Sequence, residues 1–196
     1  MKKKTLVLAS NNEHKILEMK DILGTSYEIL KQSDFNIGPI PETGKSFKEN
    51  AIIKAREVYE ITRLTTIGDD SGLIVDALDG EPGIYSARYS GENATDEENN
   101  RKLLTKLGNV SKENRGAKFV CVIALIDCDE PEKVYTYSGT WNGEILTKAK
   151  GSKGFGYDPL FFDPRVGKSS AELLTKDKNK VSHRAKALAS LKSYFS

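Results

Sequence analysis

Cysteine and histidine are almost missing from this 196-residue chain, which has two of each. Cys121 and Cys128 sit seven residues apart. Along an extended run that spacing separates them by roughly 23 Å and turns them to opposite faces, so they cannot bridge each other. No second Cys/His cluster completes a zinc site, and both cysteines are expected as buried free thiols. Long apolar runs are missing too. Nothing approaches the ~20 residues a membrane helix needs, so no membrane partner is expected. Met1-Lys2-Lys3-Lys4 looks like the start of a signal peptide, but the apolar stretch from Leu6 to Ala9 is too short for its hydrophobic region. It reads better as a lysine-fronted first strand in a cytoplasmic protein. Neither sign of charge dominates: 30 Lys+Arg face 28 Asp+Glu, for a net charge of +2. A protein living on nucleic-acid backbone carries a basic stripe, so no nucleic acid polymer is expected as a partner. Walker, nucleophile-elbow, zincin and dinucleotide fingerprints are all missing, as are internal repeats.

What is present suits a folded soluble chain, 38% hydrophobic and 30% charged. The length fits one domain, or one domain with two lobes. The stretch Thr65-Thr66-Ile67-Gly68-Asp69-Asp70-Ser71-Gly72-Leu73-Ile74-Val75 organises the rest. Apolar β-formers lead into two adjacent carboxylates and a hydroxyl, and a second apolar β run follows. Charges left half-buried are costly unless neutralised, and Mg²⁺ prefers one or two carboxylates plus substrate phosphates. A polar turn with its acids in water and a metal site both fit these residues taken alone. Strand alternation puts Asp69 and Asp70 on opposite faces, so periodicity does not choose between them.

Upstream, Thr5 to Ala9 is a continuous apolar run of the kind found inside an α/β sheet. It ends at Ser10-Asn11-Asn12-Glu13-His14-Lys15, and a helix closed by Gly24 follows. A strand passing through a polar loop into a helix N-terminus is a place for an anion, and Lys15 adds a point charge. Residues 27–32 form a candidate strand. A Gly/Pro loop then stiffens the backbone around Glu42. Ser46-Phe47-Lys48-Glu49 opens a helix to about Arg63, with Lys54 near its buried stripe. Thr95-Asp96-Glu97-Glu98 opens another, carrying Leu103, Leu104 and Leu107. Strands are expected over 117–126, 133–137 and 139–147, forming an antiparallel lobe beside the α/β one. The loop Gly151 to Asp158 interleaves glycines with Phe155 and Tyr157, which lets backbone approach a flat ligand while a ring stacks on it. Lys178 and Ser182-His183-Arg184 come at the start of a terminal helix, where donors suit an anion or a carbonyl oxygen.

Taken in order, Ser10-x-Asn12-x-x-Lys15, Glu42-Thr43-Gly44, Phe47-x-Glu49-Asn50-Ala51-x-x-Lys54-Ala55, Asp69-Asp70-Ser71-Gly72-Leu73, Pro82-Gly83-Ile84-Tyr85-Ser86-Ala87-Arg88-Tyr89, Gly154-Phe155-Gly156-Tyr157-Asp158-Pro159 and Ser182-His183-Arg184 span nearly the whole chain. Together they resemble the inosine/xanthosine triphosphate pyrophosphatase family. Asn11 stands where relatives often have Gly. The resemblance implies an α/β fold with a mixed sheet, two lobes flanking a long central cleft and helices outside, with residues 1–196 as a single catalytic domain and usually a homodimer. It implies Mg²⁺-dependent hydrolysis of ITP, dITP or XTP to the monophosphate and pyrophosphate. By the same resemblance Ser10, Asn11, Asn12, Glu13, His14 and Lys15 hold the triphosphate with Lys54. Glu42 and Asp70 hold the metal with Asp69 beside them, Asp70 is the general base, and Ser71 touches the substrate. Phe155, Gly156, Tyr157 and Asp158 form the base pocket, while Lys178, His183 and Arg184 read base or phosphate.

The chemistry agrees. Cleavage at the α-phosphorus needs charge neutralised on a polyanion and an activated water in line, which cations and a carboxylate supply. Donors aimed at a 6-keto oxygen reject adenine by about 10⁴ or more, because the mismatch leaves buried donors unpaired. A septum-associated pyrophosphatase of similar fold, acting on modified pyrimidines, fits the Phe155 and His183-Arg184 stretches less well.

Overall fold

A computed structural model describes residues 4–195, apart from the Thr25 side chain. Met1-Lys2-Lys3, the front of the expected first strand, lie outside the described residues. Strand β1 (Lys4–Ala9) is apolar throughout its second half because a parallel neighbour flanks it on each side. These neighbours are β2 (Tyr27–Lys31) and β3 (Thr66–Val75). The remaining strands are β4 (Gly116–Ile126), β5 (Tyr135–Ile145), β6 (Phe161–Asp163) and β7 (Lys168–Ser169). The sheet order is β2-β1-β3-β4-β5-β6-β7, with β5, β6 and β7 antiparallel. It is the mixed α/β sheet expected.

Two compact units emerge from the packing. The first comprises Met1–Asp70, Cys121–Gly139 and His183–Ser196; the second comprises Ser71–Val120 and Thr140–Ser182. In the first unit, helix α1 (Glu13–Leu23) starts at Asn12, whose side chain accepts from the Lys15 amide. It buries Ile16, Met19 and Leu23. Helix α2 (Phe47–Thr62) is capped by Ser46 and buries Ala51, Ala55 and Val58. Gly68 on β3 exists for this helix, since a Cβ there would lie 2.2 Å from the Ala51 carbonyl oxygen. In the second unit, helix α3 (Asp96–Lys106) carries a complete capping box between Thr95 and Glu98. Its Leu103 joins a core built on Trp141, Phe119 and Phe161.

Several expectations change. Residues 66–75 form one uninterrupted strand, which removes the polar-turn alternative for Asp69 and Asp70; both carboxylates find partners without the chain reversing. Strands expected at 133–137 and 139–147 are one strand, β5; Gly139 lets the His183 carbonyl oxygen approach to 2.1 Å of where a Cβ would sit. Two helices replace the single terminal one, α4 (Thr175–Val181) and α5 (His183–Lys192), separated at Ser182. Val181, the last residue of α4, packs with the second unit's core. Cys121 is buried, but Cys128 is exposed, having run past the end of β4.

Candidate active site

On β3 the two carboxylates face opposite ways, and each accepts hydrogen bonds from different cations. Asp70, 4% exposed, accepts from Lys54 Nζ at 3.1 Å and from Asn50 Nδ2 at 3.1 Å. Lys54 Nζ also donates to Glu42 Oε1 at 2.8 Å. One ammonium therefore bridges the two acids, and their oxygens lie no farther apart than the sum of those two bonds. Asn50 and Lys54, one turn apart, share a face of α2, and that face meets Asp70. Burial pushes the Asp70 carboxyl up; Lys54 and Lys15 oppose this, Glu42 reinforces it, and the net shift is upward. Burial lowers the Lys54 pKa, yet Asp70 and Glu42 outweigh it and leave it raised. The ammonium stays charged.

Asp69, 2% exposed, sits among other partners. It accepts from Lys15 Nζ at 2.5 Å, from Arg184 Nε at 3.2 Å and from the Cys121 thiol at 3.0 Å. Arg184 also pairs with Glu18. Burial alone would raise the Asp69 pKa, but Arg184 and Lys15 overcome it and hold the carboxyl well below the usual range. Burial and the neighbouring Asp69 drive the Cys121 thiol up, so it stays protonated. The structure thus separates the adjacent acids into an ion-paired anchor (Asp69) and a more basic carboxylate beside Glu42 (Asp70).

The other first-unit candidates lie at the starts of α1 and α5. Ser10 is half-buried and its Oγ accepts from the Asn12 amide at 3.1 Å. Asn11, Asn12, Glu13 and His14 are exposed. Glu13 pairs with Lys31 at 2.8 Å, and Lys15 reaches inward to Asp69. His183 and Arg184 open α5, both buried. Ser71, next along β3 and the first residue of the second unit, is half-buried.

In the second unit, Asp158 organises the glycine-rich loop. Its Oδ2 accepts from the Phe155 amide at 3.0 Å and from Lys178 Nζ at 2.7 Å, and its Oδ1 accepts from Ser170 Oγ at 2.7 Å. The Lys178 ammonium lies 5.1 Å from the centroid of the half-buried Phe155 ring. Gly154 at φ 78° leaves room for Asp158, whose Oδ2 would be 1.9 Å from a Cβ there. Tyr157 turns into the core and donates to the Ser86 carbonyl oxygen at 2.8 Å. Of the two rings in the loop, Phe155 is half-buried and lies against the Lys178 ammonium, while Tyr157 is buried.

The donor set around Glu42 and Asp70 suits a hard divalent cation. Both ligands are carboxylate oxygens, they already share a cation, and together they carry one negative charge more than Lys54 balances. The cluster Asp127, Cys128 and Asp129 also contains potential ligands, but Asp127 is engaged by Lys4 and Thr65. Sequence reasoning did not assign roles to Asn50, Glu18, Cys121 or Ser170. Helical spacing could have found two of them: Asn50 precedes Lys54 by four residues and Glu18 follows Lys15 by three. Cys121 and Ser170 meet their partners only through long-range folding.

Comparison with known proteins adds to this geometry. A family model described as the Ham1 family matches residues 6–194. A relative from Geobacter sulfurreducens named dITP/XTP pyrophosphatase is 52% identical over 191 residues, covering 96% of this chain and 95% of its own. One of the same name from Vibrio parahaemolyticus is 50% identical over 189 residues, covering 96% and 94%. Among solved structures, the Staphylococcus aureus Ham1 protein superposes with a TM-score of 0.87 at 44% identity, and a HAM1 protein from Coxiella burnetii with 0.88 at 42%; each comparison covers 98% of both chains.

Proposed function

The chain belongs to the Ham1 family, and from that premise we propose how its own residues carry out a nucleoside triphosphate pyrophosphatase reaction. The enzyme hydrolyses deaminated purine nucleoside triphosphates (ITP, dITP and XTP) to the monophosphate and pyrophosphate, clearing them from the nucleotide pool. The whole chain serves as one catalytic domain whose two units are its lobes. It works in the cytoplasm as a homodimer.

Glu42 and Asp70 hold Mg²⁺, which when bound neutralises charge on the phosphates. Lys15 and Lys54 contribute further positive charge to the triphosphate, aided by Ser10, the Asn11-to-His14 segment and the N-terminus of α1. A polyanion arriving beside Lys54 competes with Asp70 for the ammonium. Asp70 then takes the proton of the attacking water, a role helped by the upward push of burial on its pKa. The water oxygen bonds to the α-phosphorus and the bond to the bridging oxygen breaks, so pyrophosphate leaves. Asp69 keeps Lys15 and Arg184 in place from the opposite face of β3. Phe155 stacks on the purine, Gly156 and Asp158 shape its loop, Tyr157 anchors that loop in the core, and Ser71 contacts the substrate. Lys178 and His183 supply donors to the keto base, with Arg184 in the substrate set through the resemblance.

The observation that carries this reading is the single ammonium of Lys54 shared by Glu42 and Asp70. A nucleotide panel with and without Mg²⁺, scored for pyrophosphate against orthophosphate, tests it. ITP, dITP and XTP should release pyrophosphate in Mg²⁺ and not after chelation; release of orthophosphate, or a preference for TTP or UTP, would overturn it.

A further inference from the structure

The Phe155 loop is held from a side that none of the family-like stretches touches. Gly156 adopts φ 60°, and side chains of α3 grip both its backbone groups. Its amide donates to Asp96 Oδ2 at 2.5 Å, and its carbonyl oxygen accepts from Asn100 Nδ2 at 2.8 Å. Asp96 is the first residue of α3 and Asn100 stands one turn later on the same face. A carboxylate in the first turn is favoured by the helix dipole. Asn100 Oδ1 is buried without a hydrogen-bond partner among the described residues, so the amide is retained at some cost for the donor it offers Gly156. Between α3 and the loop lies a cavity of about 630 Å³ lined by Asp96, Asn100, Leu104, Gly154, Phe155 and Gly156, among others. The two hydrogen bonds to Gly156 are made by residues that line this cavity.

We propose that Asp96 and Asn100 are positioning residues for the base-binding ring. They clamp Gly156 so that the Phe155 face is presented in one orientation, and they set substrate affinity and base selectivity without touching the reacting atoms. This rests on the proposed role of Phe155 in stacking the purine. From the other side Asp158 and Lys178 fix the same loop, so the ring is held between two sets of bonds.

The test compares Asp96→Ala, Asp96→Asn and Asn100→Ala with the wild type in full-length protein. Loss of one charge-assisted hydrogen bond should raise KM for ITP by about tenfold in Asp96→Ala. Turnover should change by less than about threefold, since the water and its base are untouched, and the ratio of ITP to ATP cleavage should fall. Asp96→Asn keeps an acceptor and should restore most of the affinity. Independently of catalysis, hydrogen exchange at the Gly156 amide should quicken by about tenfold or more in Asp96→Ala. Unchanged KM and unchanged exchange would overturn the clamp, as would a loss of turnover with KM preserved. Faster exchange without any change in KM or selectivity would overturn the positioning role as well, and would locate the failure in the stacking role of Phe155 instead of in the two hydrogen bonds.

Discussion

Replacing Lys54 by Met probes the centre of the proposed site without touching either carboxylate. Lys54 is 7% exposed and its ammonium is within hydrogen-bond distance of both Glu42 and Asp70. Methionine fills similar volume but leaves two acids facing each other. Removing one partner of a buried ion pair costs about 3–5 kcal/mol. The Glu42 side chain is 25% exposed, and water relieves part of the repulsion, so the low end applies. With about 2–4 °C lost per kcal/mol in a chain of this size, Tm should fall by about 6–12 °C. If the two acids are a cation site, Mg²⁺ should recover much of that loss in Lys54→Met and raise the wild-type Tm far less, because in the wild type Lys54 already supplies a positive charge. Adding Asp70→Asn to Lys54→Met removes the repulsion and should recover stability without metal. The assay is thermal denaturation by circular dichroism with Mg²⁺ or with chelator. A Lys54→Met protein as stable as wild type and indifferent to Mg²⁺ would refute the reasoning.

Asp70→Asn should remain folded while kcat falls by about 10²–10⁴, the usual contribution of a general base; near-normal turnover would remove Asp70 from that role. A thiol reagent should label Cys128 rapidly in native protein and leave Cys121 untouched until unfolding, given the exposure of one and the burial and raised pKa of the other; mass spectrometry of peptides reads the outcome. Asp163 is fully buried, and its bonds from Arg165 and Trp141 overcome burial to bring its pKa down to about 2 from 3.8. A depressed folded pKa stabilises above the unfolded value and is lost as pH falls through the folded one, so about 1–2 kcal/mol should disappear between pH 4 and pH 2; Asp163→Asn should flatten that part of the urea-derived profile. Gly68→Ala should destabilise by about 1–3 kcal/mol by forcing α2 off β3, since its Cβ would meet the Ala51 carbonyl oxygen at 2.2 Å; an unchanged urea midpoint would contradict the close approach.

Local chemistry was legible in the chain wherever the partners are near in sequence. Caps at Ser46 and Thr95 marked the starts of α2 and α3, and the continuous apolar run of β1 announced an interior strand of an α/β sheet. The length of β3 was not legible. Two adjacent acids between glycines fitted a polar turn as well as a metal site, and only α2 on one face and Arg184 with Lys15 on the other make an unbroken strand tolerable. The break at Ser182 was also invisible, because the helical periodicity continues through it.

By itself the sequence determined the residue types and their order: acids for a cation, lysines for phosphate, a ring between glycines for a base, in the arrangement of a known family. Alternation along β3 also required Asp69 and Asp70 to point apart. Tertiary structure alone decided which of the two became the ion-paired anchor and which the more basic group. That choice depends on whether Arg184 or Lys54 arrives at a given face; Lys54 comes from the helix preceding β3 and Arg184 from a helix far along the chain. A pKa is set by burial and by charges a few ångströms away, and neither is written in the spacing of neighbouring residues.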